Sequence, residues 1–381
     1  MPDGRRTLSH LGVNALFLEP RMGGIETYVR RLYPAILEAR PSLRISMFVN
    51  ELGRELIASE PWSSGVELVS HPLGRRGTRA VTETAVLGPI ADRRRCDVVH
   101  SVALTAPWWS RAASVVTVAD VTWLQHPEAV PRSTRLLWRM LVTPAARRAK
   151  RVIACTQSAA TEISDALRIP EGRIDVVTLG AGSEMNTDAT PAHELRARFR
   201  LGDGPIVLGV SAFLAHKNVG RLVEAMAAVR AETPGAVLVV PGNWTPLRDE
   251  LSARAETLGV ADAVVFPGWV DAADLEGLYS AAKCFVLPSL REGFGLPVLE
   301  AMRRGVPTAC SRTSALPEVA GQAAVYFDPE SPREIAKAVT AILHDERFAA
   351  ELSNKGRERA ALFTWKRAAV ETLESYERAL A

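Results

Sequence analysis

The stretch that decides the fold is residues 288–311, PSLREGFGLPVLEAMRRGVPTACS. The apolar run 284–287 comes directly before it and is typical of a buried parallel strand. A glycine-bearing loop follows, and then a helix that begins near Pro297, because the missing N–H of proline costs no hydrogen bond at the first helical position. Gly305 ends the helix. The stretch is therefore predicted to be a strand, a glycine loop and a helix.

The start of this helix is suited to an anion, because its first amides have no intrahelical acceptor and the helix dipole favours negative charge there. Two carboxylates flank the position, Glu292 in the loop and Glu300 in the predicted first turn. They would repel a phosphate unless they faced sugar hydroxyls, from which carboxylates accept hydrogen bonds. A nucleoside-diphosphate sugar has a ribose and a hexose on either side of its diphosphate. The plainer alternative is that Glu300 complements the helix dipole and Glu292 is solvated.

The segment EGFGLPVLEAM, residues 292–302, resembles the E-x7-E signature of retaining glycosyltransferases of family four, and the similarity is tightest from 208 to 329. The resemblance is to the branch rich in mannosyltransferases. It implies an α/β fold of the GT-B type, with two Rossmann-like doubly wound parallel-sheet domains facing a cleft and a C-terminal helix that crosses back to the first domain. The alternation of strands and helices in both halves independently predicts two such sheets. Residues 316–318 and 325–329 are predicted to close the second sheet, and the polar, small-residue-rich stretch 180–193 is predicted to be the linker between the two domains.

The length of 381 residues suits two domains. We expect an N-terminal acceptor-binding domain over 1–185, completed by a crossing helix over 364–381, and a nucleotide-sugar-binding domain over 186–363. The net charge of +3 is too small to indicate nucleic acid by itself. The four cysteines form no CxxC pair, which favours buried thiols in a reducing compartment.

A second strand, glycine loop and helix stands near the start of the chain. An apolar run over 11–18 is followed by Gly23 and Gly24, and residues 25–39 have helical periodicity. Open α/β sheets bind ligands at such a position, although a tight turn that needs glycine is the simpler alternative. In the resembled family the matching loop lies near the donor phosphates and the acceptor, so the resemblance assigns Gly23 and Gly24 to binding.

Two further strands are predicted to end at His100 and at Ala119–Asp120, where strand ends line a cleft. The segment VVTVADVTWLQHPEAVP departs here from the resembled family, which usually has a histidine near the reacting sugar at the position of Ala119. Asp120 is retained and is a catalytic candidate by resemblance. His126 is predicted to be a structural or capping residue. Either the missing histidine is not needed for this acceptor, or the chain is a weak or inactive transferase.

The loop after the apolar run 205–211 contains Lys217. When a sugar leaves its nucleoside diphosphate, a fixed cation lowers the barrier by stabilising the developing charge. In the resembled family a lysine and an arginine of this loop do so without a metal; Lys217 matches the lysine, and no arginine matches. Val270 matches a position whose backbone contacts the nucleotide base.

The resemblance thus implies a retaining hexosyltransferase that needs no metal and no cofactor, with a nucleoside-diphosphate sugar as the donor substrate. A GDP-sugar is preferred over a UDP-sugar, and the acceptor is a hydroxyl of a glycan, a lipid-linked molecule or a small molecule. Lys217 would hold the diphosphate, Glu292 the transferred sugar and Glu300 the ribose. The catalytic candidates are Lys217, Glu292 and Asp120. The donor-binding candidates are Gly23, Gly24, Val270, Phe294, Gly295, Leu296 and Glu300.

No apolar run is long enough to span a bilayer and the N-terminus lacks a signal-peptide core, so a cytoplasmic location is expected. Arginine clusters in the first half are either a solvated face or a positive surface that meets anionic lipid at the inner face of the membrane, or an acidic acceptor. They lie at 75–79, 93–95 and 147–151.

Two other classes remain open at this stage. A non-catalytic GT-B protein that binds nucleotide-sugar or a partner enzyme is favoured by Ala119 and the missing arginine, whereas the intact pair Glu292 and Glu300 argues against it. An isomerase or phosphorylase of the same fold is the second. A phosphorylase would need a lysine suited to pyridoxal phosphate in the second half, and no lysine there has a convincing context.

Overall fold

The computed structural model describes residues 7–70, 78–103, 105–125, 132–182 and 188–381. The chain forms two compact units. The first consists of Met1–Gly180 with Thr364–Ala381, and the second of Ala181–Phe363. Each unit contains a wholly parallel sheet with helices, so the predicted α/β class is confirmed.

The sheet of the first unit has the strand order β3-β2-β1-β4-β5-β6-β7 over its described residues. The interior strand β1 is buried along its whole length, as expected for a parallel strand covered on both faces. The strands are β1 (His10–Ala15), β2 (Arg44–Val49), β3 (Glu67–Ser70), β4 (Val98–Ser101), β5 (Ala113–Thr117), β6 (Arg151–Ala154) and β7 (Ile174–Val176).

The helices of the first unit include one that comes from the far end of the chain, α16, which packs on α1. A π-helical segment, Thr82–Val86, stands between α3 and α4. The helices are α1 (Gly24–Ala39), α2 (Glu51–Ala58), α3 (Arg79–Val81), α4 (Leu87–Arg93), α5 (Thr122–Gln125), α6 (Arg132–Arg148), α7 (Gln157–Leu167) and α16 (Trp365–Leu380).

His100 lies in the core where α1 and α16 meet the sheet. Its Nδ1 is 3.0 Å from the hydroxyl of Tyr33 and 2.7 Å from that of Tyr376, and its Nε2 is 2.7 Å from Thr117 Oγ1. Burial lowers the pKa of His100 to about 3, so the ring is neutral. The side chain is fully buried. The prediction that this strand end lines an open site is therefore wrong for His100.

The second unit has the strand order β10-β9-β8-β11-β12-β13. Its strands are β8 (Ile206–Leu208), β9 (Val237–Pro241), β10 (Val264–Gly268), β11 (Ala282–Leu287), β12 (Thr308–Ser311) and β13 (Ala324–Phe327). Its helices are α8 (Ala192–Phe199), α9 (Val219–Glu232), α10 (Leu247–Thr257), α11 (Ala272–Ala281), α12 (Leu296–Arg303), α13 (Leu316–Ala320), α14 (Pro332–His344) and α15 (Glu346–Ala361).

Two sequence predictions about the second unit are wrong in detail. Residues 316–318 were expected to help close the sheet, but they begin the helix α13, in which Pro317 occupies an early position that needs no N–H donor. The expected linker over 180–193 is too long, because α8 already begins at Ala192.

The four cysteines are free and buried, as predicted. Burial raises the pKa of the Cys96 thiol to about 11 and that of Cys155 to about 12, so both remain protonated thiols at neutral pH. Among the described residues, none of the helices combines the length and the apolar character that a membrane span requires.

Candidate active site

The start of α12 has the geometry that the sequence predicts for a ligand loop. Gly295 precedes the helix with φ 104°, a backbone conformation that residues with a side chain rarely adopt. A Cβ at this position would lie 2.7 Å from Leu316 Cδ2. Phe294 is buried and its ring meets that of Phe363 edge-on, with centroids 6.0 Å apart. The backbone at the helix start is thus fixed by packing behind it.

The position of Glu300 differs from the sequence prediction. The helix begins at Leu296, so Glu300 is its fifth residue and lies beyond the first turn, in which the helix has no acidic residue. The helix dipole acts mainly on charges in the first turn. The alternative in which Glu300 only complements the dipole therefore loses its basis.

Lys217 and Glu292 form an ion pair. The Nζ of Lys217 is 2.8 Å from Oε1 and 2.9 Å from Oε2 of Glu292. The side chain of Lys217 is 22% exposed and that of Glu292 is 10% exposed, so the pair is largely shielded from water. Ser289 donates a further hydrogen bond of 2.6 Å to Oε1. The sequence assigned these two groups to different parts of a ligand, and the structure places them in direct contact.

The loop that contains Glu292 is fixed by Ser314, which follows α12 and β12 in the sequence. The amide of Glu292 donates to Ser314 Oγ at 2.8 Å, and the hydroxyl of Ser314 donates to the Glu292 carbonyl at 2.9 Å. Ser314 adopts φ 49°, an uncommon conformation for a residue other than glycine. These reciprocal bonds orient the Glu292 backbone while Lys217 and Ser289 orient its carboxylate.

Hydrogen bonds of Asn218 join the loop that contains Lys217 to the loop that contains Glu292. Lys217 closes a 3₁₀ turn, and Asn218 follows it with φ 58°. The buried amide of Asn218 donates to the carbonyls of Pro288 at 3.0 Å and Pro329 at 2.7 Å. The amide of Leu290 donates to the carbonyl of His216 at 2.8 Å. The two loops are therefore cross-linked by hydrogen bonds, which is how a site is held ready for a ligand.

Glu300 is held from two sides. The hydroxyl of Tyr279 donates to its Oε2 at 3.1 Å. Burial, and then the nearby charge of Glu300, raises the pKa of Tyr279 well above its ordinary value, so the phenol stays a donor. On the other side lies Gly182, where an added Cβ would stand 1.9 Å from Glu300 Oε1. Only a glycine leaves room for the carboxylate in this position.

Val270 is half-buried in the segment that follows β10. Gly268 at the end of that strand has φ 82°, and an added Cβ there would lie 2.6 Å from Nε1 of Trp244. Trp244 is 60% exposed, and the guanidinium of Arg248 stacks 4.2 Å from its ring centroid. The structure thus places the end of β10, two residues before Val270, against an exposed aromatic residue that the sequence analysis did not select.

The first unit contains the other predicted site residues. Gly23 precedes α1 with φ 66°, and a Cβ there would meet no atom within 4 Å, so the backbone angle alone favours glycine. Gly24 is the first residue of α1. Asp120 accepts a hydrogen bond of 2.9 Å from the amide of Thr122, which starts α5. His126 lies outside the described residues.

The sequence analysis missed four residues that shape the site in the second unit. Ser289 stood beside Glu292 in the quoted stretch, and its hydroxyl was the available signal. Ser314, Tyr279 and Gly182 lie far along the chain from the two glutamates that they position, so no local pattern indicated them. Across the described ranges, no three His, Cys, Asp or Glu side chains are grouped as a metal site would need.

Two family models match the chain. Residues 22–181 match the model described as Glycosyltransferase Family 4, and residues 192–359 match that described as Glycosyl transferases group 1. The first match falls in the first unit but for its last residue, and the second contains Lys217, Glu292 and Glu300. The geometry described above is therefore that of the group 1 glycosyltransferase region.

Two of the proteins that are similar in sequence to this chain are mannosyltransferases. The serotype-specific mannosyltransferase WbdA of Escherichia coli is 32% identical over 61% of this chain, and the chain spans only 29% of that protein. The GDP-mannose-dependent alpha-(1-6)-phosphatidylinositol monomannoside mannosyltransferase of Mycobacterium tuberculosis is 27% identical over 89% of this chain and 90% of its own length.

The fold has a close counterpart among solved structures. HepE of Anabaena, determined in complex with UDP and glucose, superposes with a TM-score of 0.75 over 96% of this chain and 98% of its own, at 19% identity. This likeness concerns the fold, which is GT-B. With the E-x7-E pair in place and the family models matching both halves, the chain belongs to the family-four glycosyltransferases.

Proposed function

We propose that this chain transfers mannose from GDP-mannose to a hydroxyl of a glycan or a lipid-linked acceptor, with retention of anomeric configuration and without a metal. The observation that carries the proposal is the shielded pair of Lys217 and Glu292 beside the start of α12. A cation, a carboxylate and the start of a helix at one place suit a diphosphate joined to a sugar.

The ion pair leaves each partner able to bind a ligand. A lysine ammonium has three N–H donors, and two of them point to the oxygens of Glu292. The third is available to a phosphate oxygen. Glu292 in turn retains acceptor lone pairs for hydroxyls of the transferred sugar. The pair then bridges the bond that must break, with Lys217 on the diphosphate side and Glu292 on the sugar side.

Glu300 is proposed to accept hydrogen bonds from the ribose hydroxyls. Tyr279 and the space left by Gly182 fix its carboxylate, so little side-chain freedom remains to be lost when a nucleotide binds. Phe294, Gly295 and Leu296 would contribute backbone to the diphosphate, and Val270 to the base. These roles follow the E-x7-E resemblance and are supported by the rigidity of the loops.

The reaction is proposed to proceed on one face of the sugar. The bond between the anomeric carbon and the diphosphate oxygen breaks, a bond from the acceptor oxygen to that carbon forms, and the acceptor proton passes to the departing phosphate. Lys217 stabilises the negative charge that develops on the diphosphate. Asp120 in the first unit is proposed to act on the acceptor, and Gly23 and Gly24 are proposed to contribute backbone to donor binding.

The choice of donor rests on the names of the relatives. The mycobacterial relative is described as GDP-mannose-dependent, and its name includes a phosphatidylinositol monomannoside. HepE was solved with UDP and glucose, so UDP-glucose is the competing donor to be tested. We also propose that the protein works at the inner face of the membrane, where a lipid-linked acceptor would lie.

The experiment that tests the proposal is thermal unfolding with GDP, UDP, dTDP and ADP and their common sugar derivatives, followed by a transfer assay with the donor that binds. A ligand at about a hundred times its dissociation constant adds about 2.7 kcal/mol, which moves the midpoint of a unit of this size by about 5–11 °C. A shift with GDP-mannose that is lost in Glu300→Ala supports the proposal. A shift with UDP-sugars alone overturns the donor, and no shift with any nucleotide overturns the function.

A further inference from the structure

A strongly basic surface lies on α6 of the first unit, in the part of the structure that the donor-site residues do not use. Arg139, Arg147 and Arg148 of α6 and Arg168 after α7 line a groove of about 820 Å³. A second, smaller groove at the start of α6 adds Arg132 and Arg135. None of the described residues that line either groove is acidic, and α6 itself has no Asp or Glu.

The outer face of the same helix is apolar. Leu136 is 58% exposed, Leu137 44% and Met140 54%. Leu136 and Met140 stand four positions apart and so project from one side of the helix. Large apolar side chains grouped in this way on a surface mark a contact with a partner or a membrane.

This exposed face exists although α6 already has a buried apolar face. Val142, Ala145 and Ala146 lie in the core of the unit, and Trp138 packs edge-on against Trp123 with ring centroids 6.2 Å apart. The fold of the unit therefore does not require Leu136, Leu137 or Met140 to be apolar. Their apolar character calls for an occupant outside the unit.

The arginines are also unused by the fold. Among the described residues, Arg135, Arg139 and Arg148 form no ion pair, whereas Arg147 donates to the carbonyl of Leu167 at 2.8 Å. Guanidinium groups bind phosphate oxygens in a bidentate manner. A surface with arginines around exposed leucine and methionine is complementary to phosphate headgroups above acyl chains.

We propose that the α6 surface, formed by Arg135, Leu136, Leu137, Arg139, Met140 and Arg148, docks the protein on an anionic phospholipid bilayer. Leu136, Leu137 and Met140 enter the headgroup–acyl boundary while the arginines bind lipid phosphates. A nucleic acid would use the charge but not the apolar side chains. The inference adds a defined surface to the membrane location proposed above, and it does not depend on which donor is used.

The test is co-sedimentation of the full chain with vesicles, in the absence of any sugar nucleotide. The probes are vesicles of phosphatidylcholine with phosphatidylglycerol in equal parts, and vesicles of phosphatidylcholine alone. We expect binding to the first, no binding to the second, and release from the first as the salt concentration rises. Because no donor is present, failure of the proposed enzyme activity would not affect this result, and the reverse also holds.

Two sets of variants locate the surface. Arg135→Gln with Arg139→Gln and Arg148→Gln should lower the partition coefficient on the order of a hundredfold, because each basic residue near an anionic surface contributes a factor of about five. The charge-matched control changes exposed arginines of the second unit and should lose far less. The control substitutions are Arg200→Gln, Arg333→Gln and Arg347→Gln.

The second set leaves the charge unchanged. Leu136→Ser with Met140→Ser should lower the partition coefficient at least about tenfold, because apolar area no longer leaves water. The control is Leu258→Ser with Leu362→Ser, two exposed leucines of the second unit. The proposal is overturned if the protein binds neither kind of vesicle or binds both equally. It is also overturned if the arginine variant loses no more binding than its control, or if the serine variant binds fully.

Discussion

The ammonium of Lys217 donates to both carboxylate oxygens of Glu292, at 2.8 and 2.9 Å, although the two residues are 75 positions apart in the sequence. The pair lies beside the start of α12, and the hydroxyl of Ser289 completes the set of contacts on Oε1. Neither charge is left without a partner before a ligand arrives. A donor substrate therefore meets a neutralised pair rather than two isolated charges.

Replacement of Lys217 by alanine is expected to lower kcat by about a hundredfold or more and to change the apparent affinity for the donor much less. The reason is that a fixed cation contributes most when charge develops on the leaving diphosphate. Steady-state kinetics with the identified donor measure this. Lys283→Ala, at an exposed position on β11, is the matched control. Unchanged turnover in Lys217→Ala would remove the lysine from the mechanism.

Replacement of Glu300 by alanine is expected to weaken nucleotide binding by roughly ten- to a hundredfold, because hydrogen bonds to a charged group contribute about 1.5–3 kcal/mol. Calorimetric titration with GDP gives the change in the dissociation constant. Glu358→Ala, at an exposed position on α15, is the control for the loss of one carboxylate. If Glu300→Ala binds GDP normally but unfolds at a lower temperature, the residue has a structural role.

Gly182→Ala is expected to reduce nucleotide affinity without any change to a charged group. The added Cβ would stand 1.9 Å from Glu300 Oε1 and 2.4 Å from its Cγ, so the glutamate side chain must move. Gly220→Ala is the control, because its Cβ would meet only Leu251 Cδ2, at 3.5 Å. Titration with GDP would reveal the difference. Equal affinity in the two variants would show that Glu300 is free to adapt.

The buried His100 predicts a loss of stability in mild acid. Its pKa is about 3 in the folded chain and about 6.5 when unfolded, so below pH 6.5 the unfolded chain binds a proton that the folded chain does not. Stability is therefore lost progressively as the pH falls from 6.5 towards 3. Between pH 7 and pH 5 the loss from this one residue is about 2 kcal/mol.

Chemical denaturation of the wild type and of His100→Gln at both pH values measures this loss. The variant should be less stable at pH 7 but should depend less on pH. Glu83 acts in the opposite direction, because burial raises its pKa to about 7 and stability is lost as the pH rises from its unfolded value to 7. Since Glu83 is present in both proteins, its effect cancels in the comparison. Parallel pH profiles would rule out His100 as the source.

Asp120→Asn separates a catalytic role from a structural one. Asparagine keeps an oxygen that can accept the 2.9 Å hydrogen bond from Thr122, so the start of α5 should be preserved. If the charge of Asp120 acts on the acceptor, turnover should fall while the unfolding midpoint stays constant. Asp165→Asn, at an exposed position on α7, is the control. Full turnover in Asp120→Asn would exclude a role for its charge.

The sequence was sufficient for the parts of the fold that depend on local pattern. Continuous apolar runs predicted the parallel strands, because strands covered on both faces need no polar alternation. The glycine loop before α12 was likewise visible, because its backbone angle at Gly295 excludes most residues. The prediction failed for residues 316–318, where a short helix with an early proline has too few residues to establish a periodicity.

The charged residues of the site could be predicted from the sequence, but the residues that hold them in place could not. Glu292, Glu300 and Lys217 were recognised from their motif, and their binding roles remain predictions. The residues that contact them directly are brought there by tertiary structure, which leaves no periodic pattern in the sequence. Ser314 follows α12 in the sequence and donates a hydrogen bond to the carbonyl of Glu292, which precedes that helix. Gly182 is required only because Glu300 occupies the space that a side chain at position 182 would need. The ion pair itself was missed because the two loops are brought together by the sheet order.

The membership of α16 in the first unit has a consequence for biosynthesis. Residues of α16 complete the core of that unit, where Tyr376 contacts His100 and Ser375 donates to Asp175 at 2.7 Å. The whole of Ala181–Phe363 lies between them and the rest of the unit in the sequence. A ribosome therefore releases every residue of the second unit before it supplies the last piece of the first. Domains fold largely as they emerge, so the second unit is able to finish folding while the first still waits with an exposed apolar surface that chaperones would recognise.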